Sequence, residues 1–290
     1  MSYRLVHDLA AGGLPVAVTC RVLQVSTSGY YEWLGRPASG RDLADAYLTE
    51  TIIAIHLMSR RSYGAPRVHA ELRLGMGVRV GRKRVARLMR EHQITGICHR
   101  RKRRGSPAPA VHEDLVKRKF VAASPNVLWA TDVTEHPTGE GKVYCAAVID
   151  IYSRLIVGWS IADHIRAELV VDALQMATWR RRPSPGGIVH SDRGAVYTSW
   201  VFGHRLREAG LLGSMGRVAS SVDNTTMESF WSTMQRELLD TQSWSTKDEL
   251  ASAIFEWIEA WYNPRRRHTS LGDLAPAEFE NLHTTAATAA

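Results

Sequence analysis

Three acidic residues stand where a carboxylate is costly unless it has a partner or a ligand. Asp132 lies in the middle of a strand-like segment, TDVT, among apolar neighbours that make its charge expensive to desolvate. Asp192 follows a short buried strand, in HSDRG, at the carboxyl edge where α/β sheets bind ligands. Glu228 falls in the first turns of a helix after DNTTM. Each acid alone also has a structural interpretation, as a cap, a salt-bridge partner or a first-turn acid.

The three acids together indicate phosphoryl transfer. Two Mg²⁺ ions about 3.5 to 4 Å apart need hard oxygen ligands, and one bridging carboxylate with one more for each ion is a minimal set. One ion activates an attacking water or 3′-hydroxyl, and the other stabilises the leaving 3′-oxygen. We therefore expect Asp132, Asp192 and Glu228 to be both catalytic and metal-binding, with two Mg²⁺ ions that Mn²⁺ can replace.

The segments that carry these acids predict an α/β domain with mixed strand directions. Residues rich in β-branched and aromatic types alternate with turn signals, and two tight connections imply an antiparallel meander of the first three strands. The predicted strands are 127–136, 143–152, 155–162, 187–191 and 211–215, and the predicted helices are 167–181, 199–209, 224–239 and 246–262. The order βββαβαβαα is that of a layered α/β domain. The 35 residues between Asp192 and Glu228 leave room for the helix and strand that must bring these two acids together.

Two segments near the amino terminus predict helix-turn-helix units. Residues 16–34 are typical of two short helices, with Ser26 or Thr27 able to cap the second. Residues 66–93 give the stronger pattern, since proline opens the first helix and glycines separate it from the second.

The second helix of the 66–93 segment has two distinct faces. Val85, Leu88 and Met89 form an apolar stripe, while cations fall on another face that could meet DNA. The candidate DNA contacts here are Arg82, Lys83, Arg84, Arg87 and Arg90. A charged surface helix that binds nothing is the alternative.

The charge distribution also favours DNA binding by the amino-terminal part. The formal net charge of +8 divides into +13 for residues 1–120 and −5 for residues 121–290. Five consecutive cations, Arg100, Arg101, Lys102, Arg103 and Arg104, open a linker rich in proline and small residues. We therefore predict a helical DNA-binding region at 1–110, a basic linker at 99–123, a catalytic core at 124–282 and a disordered tail at 283–290.

Further polar residues are candidates for supporting roles. Asp150, His190 and Asn224 could orient the metal ligands, although a purely structural hydrogen-bonding role for Asp150 is as plausible. Further candidate DNA contacts in the core are Arg193, Gln235, Arg265, Arg266 and Arg267.

The positions of the cysteines and the hydropathy of the chain argue against disulfide-rich, zinc-binding and membrane-spanning proteins. Cys20, Cys98 and Cys145 lie far apart without metal-ligand spacing, which argues against a structural zinc site or a disulfide framework. The sequence contains neither a signal peptide nor an apolar run long enough to span a membrane. We expect a cytoplasmic protein without a membrane partner.

The motifs resemble, in order and over nearly the whole chain, the downstream-frame (OrfB) protein of insertion-sequence family three transposases. SYGAPRVHAEL and VGRKRVARLMRE match the family's helix-turn-helix segment. WATDVTEHP, VIDIYSRLIVGW, VHSDRGAVYTS, DNTTMESFW and YNPRRRHTSLGDLAPAEFE match its core. The resemblance implies a ribonuclease H-like integrase core, with a mixed sheet flanked by helices, in which Asp132, Asp192 and Glu228 form the metal-binding triad.

The same resemblance implies function and partners. It implies a bacterial DNA transposase that cleaves 3′ ends and transfers strands, acting on the element's terminal inverted repeats and on target DNA, and associated with the nucleoid when bound. It also implies a homo-oligomer on paired ends and a frameshift fusion with the upstream-frame protein. Two rivals are a non-catalytic DNA-binding regulator, against which the intact triad argues, and a structure-specific nuclease, against which the YNPRRRHTSL match argues.

Overall fold

The structure is a computed structural model, which describes residues 2–37, 39–97, 121–192, 194–215 and 225–288. Its contacts divide the chain into two compact units, Met1–Ala54 and Ile55–Ala290. Within the described residues no helix combines the length and the apolar character needed to cross a membrane.

The first unit is helical. Its elements are α1 (Ser2–Ala11), α2 (Val16–Val22), α3 (Thr27–Gly35) and the start of α4 (Gly40–Met58). Val6, Cys20 and Tyr30 form its buried centre. The expected cap of α3 is confirmed, because the hydroxyl of Ser26 accepts a hydrogen bond from the Gly29 N–H at 3.2 Å. The sequence analysis did not anticipate α4.

The second unit begins with the stronger helix-turn-helix segment. Its first helix, α5 (Ala65–Ala70), continues as a π-helical turn (Glu71–Gly75), and α6 (Arg82–Glu91) follows. Val85, Leu88 and Met89 are buried as the apolar stripe predicted.

A five-stranded mixed sheet forms the centre of this unit. Its strands are β1 (Leu128–Thr138), β2 (Gly141–Asp150), β3 (Ile156–Ala162), β4 (Ile188–Ser191) and β5 (Leu212–Met215), in the order β3-β2-β1-β4-β5. The pairs β1/β2 and β2/β3 are antiparallel, whereas β4 runs parallel to both β1 and β5. The antiparallel meander and the mixed sheet predicted from the sequence are confirmed.

Helices cover the sheet and hold it in place. They are α7 (Ala167–Arg181), α8 (Trp200–Glu208), α9 (Thr225–Glu237), α10 (Lys247–Glu256), α11 (Asn263–Arg265) and α12 (Pro276–Thr288), and a π-helical turn (Trp257–Tyr262) joins α10 to α11. Helix α7 lies very close to β3, because a Cβ at Gly158 would come within 2.2 Å of the Ala173 carbonyl oxygen. Helix α9 packs against β1.

The compact units of the structure do not coincide with the predicted domain boundary near residue 110. Residues 55–97 belong to the same compact unit as the sheet. The Tyr63 hydroxyl accepts a hydrogen bond from the Arg267 N–H at 2.7 Å, and the Tyr63 and Trp261 ring centroids are 5.6 Å apart. The compact units therefore meet near residue 54, and most of the predicted linker, at 98–120, lies outside the described residues.

The expected disordered tail also needs correction. Helix α12 extends to Thr288. The ring of His283 lies 4.3 Å from that of Phe279 and 6.2 Å from that of Tyr152. These aromatic contacts attach the helix to the end of β2, which a composition rich in alanine and threonine does not reveal.

Candidate active site

Strands β1 and β4 place two of the three acids side by side. Ala130 and His190 are paired in the parallel register of the two strands. Asp132 follows Ala130 by two residues within β1, and Asp192 follows His190 by two residues, directly after the end of β4. The sheet thus brings together two acids that are sixty residues apart in the sequence.

Helix α9 brings the third acid to this edge. Buried Met227, Phe230 and Met234 seat the helix, and Glu228 lies half-buried in its first turn. Trp231, three residues after Glu228, donates its indole N–H to the Asp132 Oδ2 at 3.1 Å. The Trp231 N–H thereby connects α9 to β1.

The charges of Asp192 and Glu228 both act on Asp132. Burial raises the pKa of Asp132 to about 6, against the hydrogen bonds from the Val133 and Trp231 N–H groups, and the charges of Asp192 and Glu228 raise it further. Asp192 is exposed and accepts a hydrogen bond from the Gly194 N–H at 2.9 Å. Two negative charges therefore act on Asp132 in a partly desolvated site.

The donor set suits a hard divalent cation. All three groups are carboxylates, the oxygen ligands that Mg²⁺ and Mn²⁺ prefer. Among the described residues, no three His, Cys, Asp or Glu side chains lie close enough together to hold a metal ion by themselves. Mg²⁺ is usually held by one or two carboxylates together with substrate phosphates and water, so an open carboxylate cluster fits it.

The buried Tyr197 lies beside the cluster, and sequence reasoning missed it. Its hydroxyl is 3.3 Å from the Thr131 Oγ1. Burial raises the pKa of Tyr197 well above 10, and the charges of Asp132 and Asp192 add to the effect. The phenol therefore stays protonated, and it contacts Thr131, whose side chain lies on the opposite face of β1 from that of Asp132. Its one sequence signal is its position five residues after Asp192.

Asp150 has the contacts of a structural residue, which is the alternative that the sequence left open. It is fully buried, and its carboxylate accepts hydrogen bonds from the Asn126 backbone N–H at 2.7 Å and the Trp129 indole N–H at 3.3 Å. In the antiparallel register it pairs with Trp129, three residues before Asp132. Strand alternation then turns the two carboxylates to opposite faces of the sheet.

The other supporting candidates have different outcomes. His190 is buried two residues before Asp192, with its Nδ1 3.1 Å from the Ser214 Oγ, so it connects β4 to β5 directly beside the site. Asn224 lies outside the described residues. Gln235 is two turns after Glu228, and its amide donates to the Asp240 carboxylate.

The predicted DNA contacts of α6 are only partly available. Arg82, Lys83 and Arg90 are exposed, and Arg84 is half-buried. Arg87 is also half-buried, and it forms a salt bridge with Glu91 at 2.9 Å. The predicted contacts at Arg100, Arg101, Lys102, Arg103, Arg104 and Arg193 lie outside the described residues.

The predicted DNA contacts at Arg266 and Arg267 need correction. Arg266 is 4% exposed and forms two hydrogen bonds to the Glu237 carboxylate, at 2.9 and 2.8 Å. Arg267 is 3% exposed and donates to Glu71 at 2.6 Å. Both guanidinium groups are therefore paired with carboxylates inside the fold and are not exposed cations on the surface. In this basic run Arg265 is exposed.

The raised pKa of Asp132 predicts a pH-dependent stability. The folded carboxyl keeps its proton up to about pH 6, whereas the unfolded one loses it near 3.8. Proton binding by Asp132 therefore stabilises the folded state at low pH, and this stabilisation is lost as the pH rises from about 4 to about 6. In metal-free buffer, the unfolding free energy of Asp132→Asn relative to the parent should therefore increase by about 1 to 2 kcal/mol between about pH 4.5 and 7.5. Denaturant titration at each pH measures this difference.

Asp42→Asn is the control for this measurement. The hydrogen bonds from Ser39 lower the pKa of Asp42, so its carboxyl titrates below this pH range in both states. Its stability relative to the parent should be constant across the range. If the difference in unfolding free energy between Asp132→Asn and the parent were also constant across this pH range, the prediction would be wrong.

The sequence matches family models along most of its length. Residues 122–221 and 210–276 match two models described as integrase core domain, and residues 42–102 match an HTH-like domain. The chain is 36% identical over 274 residues to the transposase InsF for insertion sequence IS3A of Escherichia coli (strain K12), covering 92% of this chain and 94% of the relative. It is equally identical, over the same length, to a 31 kDa uncharacterized protein of insertion element IS600 of Shigella sonnei, covering all of that protein.

The structure also aligns with solved structures at low sequence identity. A simian T-cell lymphotropic virus intasome in complex with the PP2A regulatory subunit B56 gamma aligns with a TM-score of 0.45 and 12% identity, over 73% of each chain. The HTLV-2 integrase catalytic core in complex with magnesium aligns with a TM-score of 0.40 and 15% identity, over 55% of this chain and 98% of that one.

Proposed function

This chain belongs to the IS3 family of transposases, and we propose that it cuts and joins DNA strands through Asp132, Asp192 and Glu228. Its carboxyl-terminal part is an integrase core with the ribonuclease H-like fold, preceded by an HTH-like region. The observation that carries the proposal is that the charges of Asp192 and Glu228 both act on Asp132, which also accepts a hydrogen bond from Trp231 of α9.

The chain's own groups prepare the carboxylates for this chemistry. The Val133 and Trp231 N–H groups fix the orientation of Asp132, and the Gly194 N–H fixes one oxygen of Asp192. Mg²⁺ held by these carboxylates would supply Lewis-acid activation of the phosphate and stabilise developing charge. The three acids would thus position a scissile phosphodiester at the exposed end of β4.

Two displacements at phosphorus account for the proposed reaction. In the first, a water oxygen bonds to phosphorus while the bond from phosphorus to the 3′-oxygen of the element breaks, and the freed oxygen takes a proton. In the second, that 3′-hydroxyl loses its proton and attacks a target phosphodiester, whose own 3′-oxygen leaves. Neither step requires a covalent bond between protein and DNA.

DNA recognition would come from the helical part of the chain. The exposed cations of α6 and the basic run at 100–104 supply phosphate contacts, and the terminal inverted repeats of the element are the proposed substrate. By its family membership, we further propose that the protein acts as a homo-oligomer on paired ends and as a frameshift fusion with the upstream-frame protein.

A single incubation tests this function. The full chain is mixed with labelled duplex carrying the element's terminal repeat and with Mg²⁺, and the products are separated by length. Nicked strands followed by joined strands are expected. Nicks without joined products would support the structure-specific nuclease instead, and binding with neither product would support the non-catalytic regulator.

The metal requirement is a separate prediction. Three carboxylates without cysteine or histidine partners should hold Mg²⁺ or Mn²⁺ weakly. Protein purified without added metal should contain little of it, and strand cleavage should appear on addition of Mg²⁺ or Mn²⁺ and disappear with chelator. Stoichiometric zinc that survives exhaustive dialysis, measured by elemental analysis, would contradict this prediction.

A further inference from the structure

A polar cavity of about 210 Å³ lies on the side of α9 next to the face that carries Glu228. We call it the arginine pocket, and its polar lining includes Arg67, Arg154, Ser229, Arg266, His268 and Ser270. No acidic side chain of the described chain lines it. It lies wholly within the second compact unit and combines α5, the turn after β2, α9 and the segment after α11.

Two arginines of the arginine pocket, Arg67 and Arg154, form no salt bridge among the described residues, although the charge of Glu237 acts on Arg67. The guanidinium of Arg67 is half-buried over the Tyr63 ring, 5.7 Å from its centroid. That of Arg154 donates to the Thr226 hydroxyl at 3.2 Å. Half-buried cations without counter-ions are costly, and a bound anion would remove that cost.

His268 adds a neutral donor to the arginine pocket. Its Nε2 lies 3.3 Å from the Nη1 of Arg266. Because a guanidinium can only donate, Nε2 must accept, which leaves the proton on Nδ1. Burial lowers the pKa of His268 well below 6.5, and the charges of Arg266, Arg67 and Arg154 lower it further, so all three arginines lie close to this ring. Arg266 is neutralised by Glu237, and the remaining lining therefore carries two net positive charges.

The chemistry of the arginine pocket is that of a phosphate site. Guanidinium groups and hydroxyls match the oxygens of a phosphate, and Ser229 and Ser270 supply the hydroxyls. Ser229 directly follows Glu228, so a phosphate in the pocket would lie within about one helix diameter, about 10 Å, of the carboxylate cluster.

We propose that the arginine pocket binds one backbone phosphate of the DNA strand that enters the carboxylate cluster. The choice of DNA as the source of this phosphate rests on the proposed strand-transfer function. A free phosphate would satisfy the same donors, and the experiment must separate these two sources.

The first arm measures binding of terminal-repeat duplex in EDTA, with Arg67→Gln, Arg154→Gln and, as the matched control, Arg207→Gln. Arg207 is an exposed arginine of α8 outside the pocket. Each pocket variant should bind about tenfold more weakly at low salt and lose about 0.9 from the log–log salt slope. Arg207→Gln should have a smaller effect on both the affinity and the salt slope. Because the change removes a charge that forms no salt bridge, the melting temperature of Arg67→Gln should be unchanged or higher. If Arg154→Gln folds poorly, the result for Arg67→Gln alone decides the test.

The second arm locates the phosphate by replacing single linkages with neutral methylphosphonates. One position should weaken binding by the parent and leave binding by Arg67→Gln unchanged. If no position does so, the proposal is overturned. Since binding in EDTA does not depend on strand cleavage, this arm gives the same answer even if the triad proposal fails.

The third arm adds inorganic phosphate at constant ionic strength and follows the melting temperature. Phosphate that stabilises the parent but not Arg67→Gln, together with unchanged DNA binding by that variant, would assign the pocket to free phosphate and overturn the proposal. Unchanged DNA binding with no phosphate effect would show that the arginines are structural, which also overturns it.

Discussion

Asp132→Asn, Asp192→Asn and Glu228→Gln should each lose strand cleavage and strand joining together, by at least about 10³-fold, or roughly 4 kcal/mol of transition-state stabilisation. Each change removes one carboxylate of the metal site but leaves the size of the side chain almost unchanged. Because the three negative charges repel one another without metal, each variant should fold and bind DNA about as well as the parent. Product formation from labelled terminal-repeat duplex measures the loss.

Asp150→Asn is the contrasting variant for this experiment. The Asp150 carboxylate is buried and accepts hydrogen bonds from Asn126 and Trp129 on the opposite face of the sheet, so the change should lower stability but leave activity in the folded fraction. A triad variant that lost about 1 kcal/mol or more of stability and kept its activity would be structural instead. An Asp150→Asn variant that folded fully and had no activity would mean that the site extends through the sheet.

Arg266→Met should lower the free energy of unfolding by about 3 to 5 kcal/mol, the largest stability loss expected in this chain. The change leaves the Glu237 carboxylate, which belongs to a 4% exposed residue, without its two hydrogen bonds. Burial opposes the charge of Arg266, but the Glu237 charge and hydrogen bonds raise its pKa nonetheless, so the pair is ionised in the folded protein. Denaturant titration measures the loss.

The double variant and a neighbouring arginine complete the test of the ion pair. Arg266→Met with Glu237→Leu should recover much of the stability, since no isolated charge remains buried. Arg265→Met, at an exposed position next in sequence, should change the unfolding free energy by no more than about 0.5 kcal/mol. Equal losses for Arg265→Met and Arg266→Met would show that the buried ion pair is not the cause.

Much of the core could be read from local patterns. Alternating apolar residues and turn signals located all five strands, because strand burial follows a period of two that the sequence displays directly. The triad could also be selected, since an acid inside or at the end of an apolar strand contrasts with its neighbours. Helix α4 was not predicted from the sequence. Its apolar and polar residues do not separate into two clear helix faces, so the pattern does not indicate a helix.

Other features depend on partners that are remote in the sequence. A run of three arginines looks like a DNA contact, yet Arg266 and Arg267 pair with Glu237 and Glu71, acids 29 and 196 residues away. The contacts of the 66–93 segment with the core also join residues that are far apart in the sequence, so the sequence did not predict them. These contacts place the segment in the same compact unit as the sheet, which begins at Ile55.

The sequence by itself determined the order of the strands along the chain and marked the three acids as candidates. Only the tertiary structure decided which side chains surround them. Trp231 contacts Asp132 because α9 packs on β1, and Arg67 and Arg154 line one cavity because α5, α9 and the segment after α11 come together. The physical reason is the distance along the chain over which each property is set. Periodicity depends on a residue's own helix or strand, whereas burial, charge pairing and pKa depend on atoms that folding brings from distant segments.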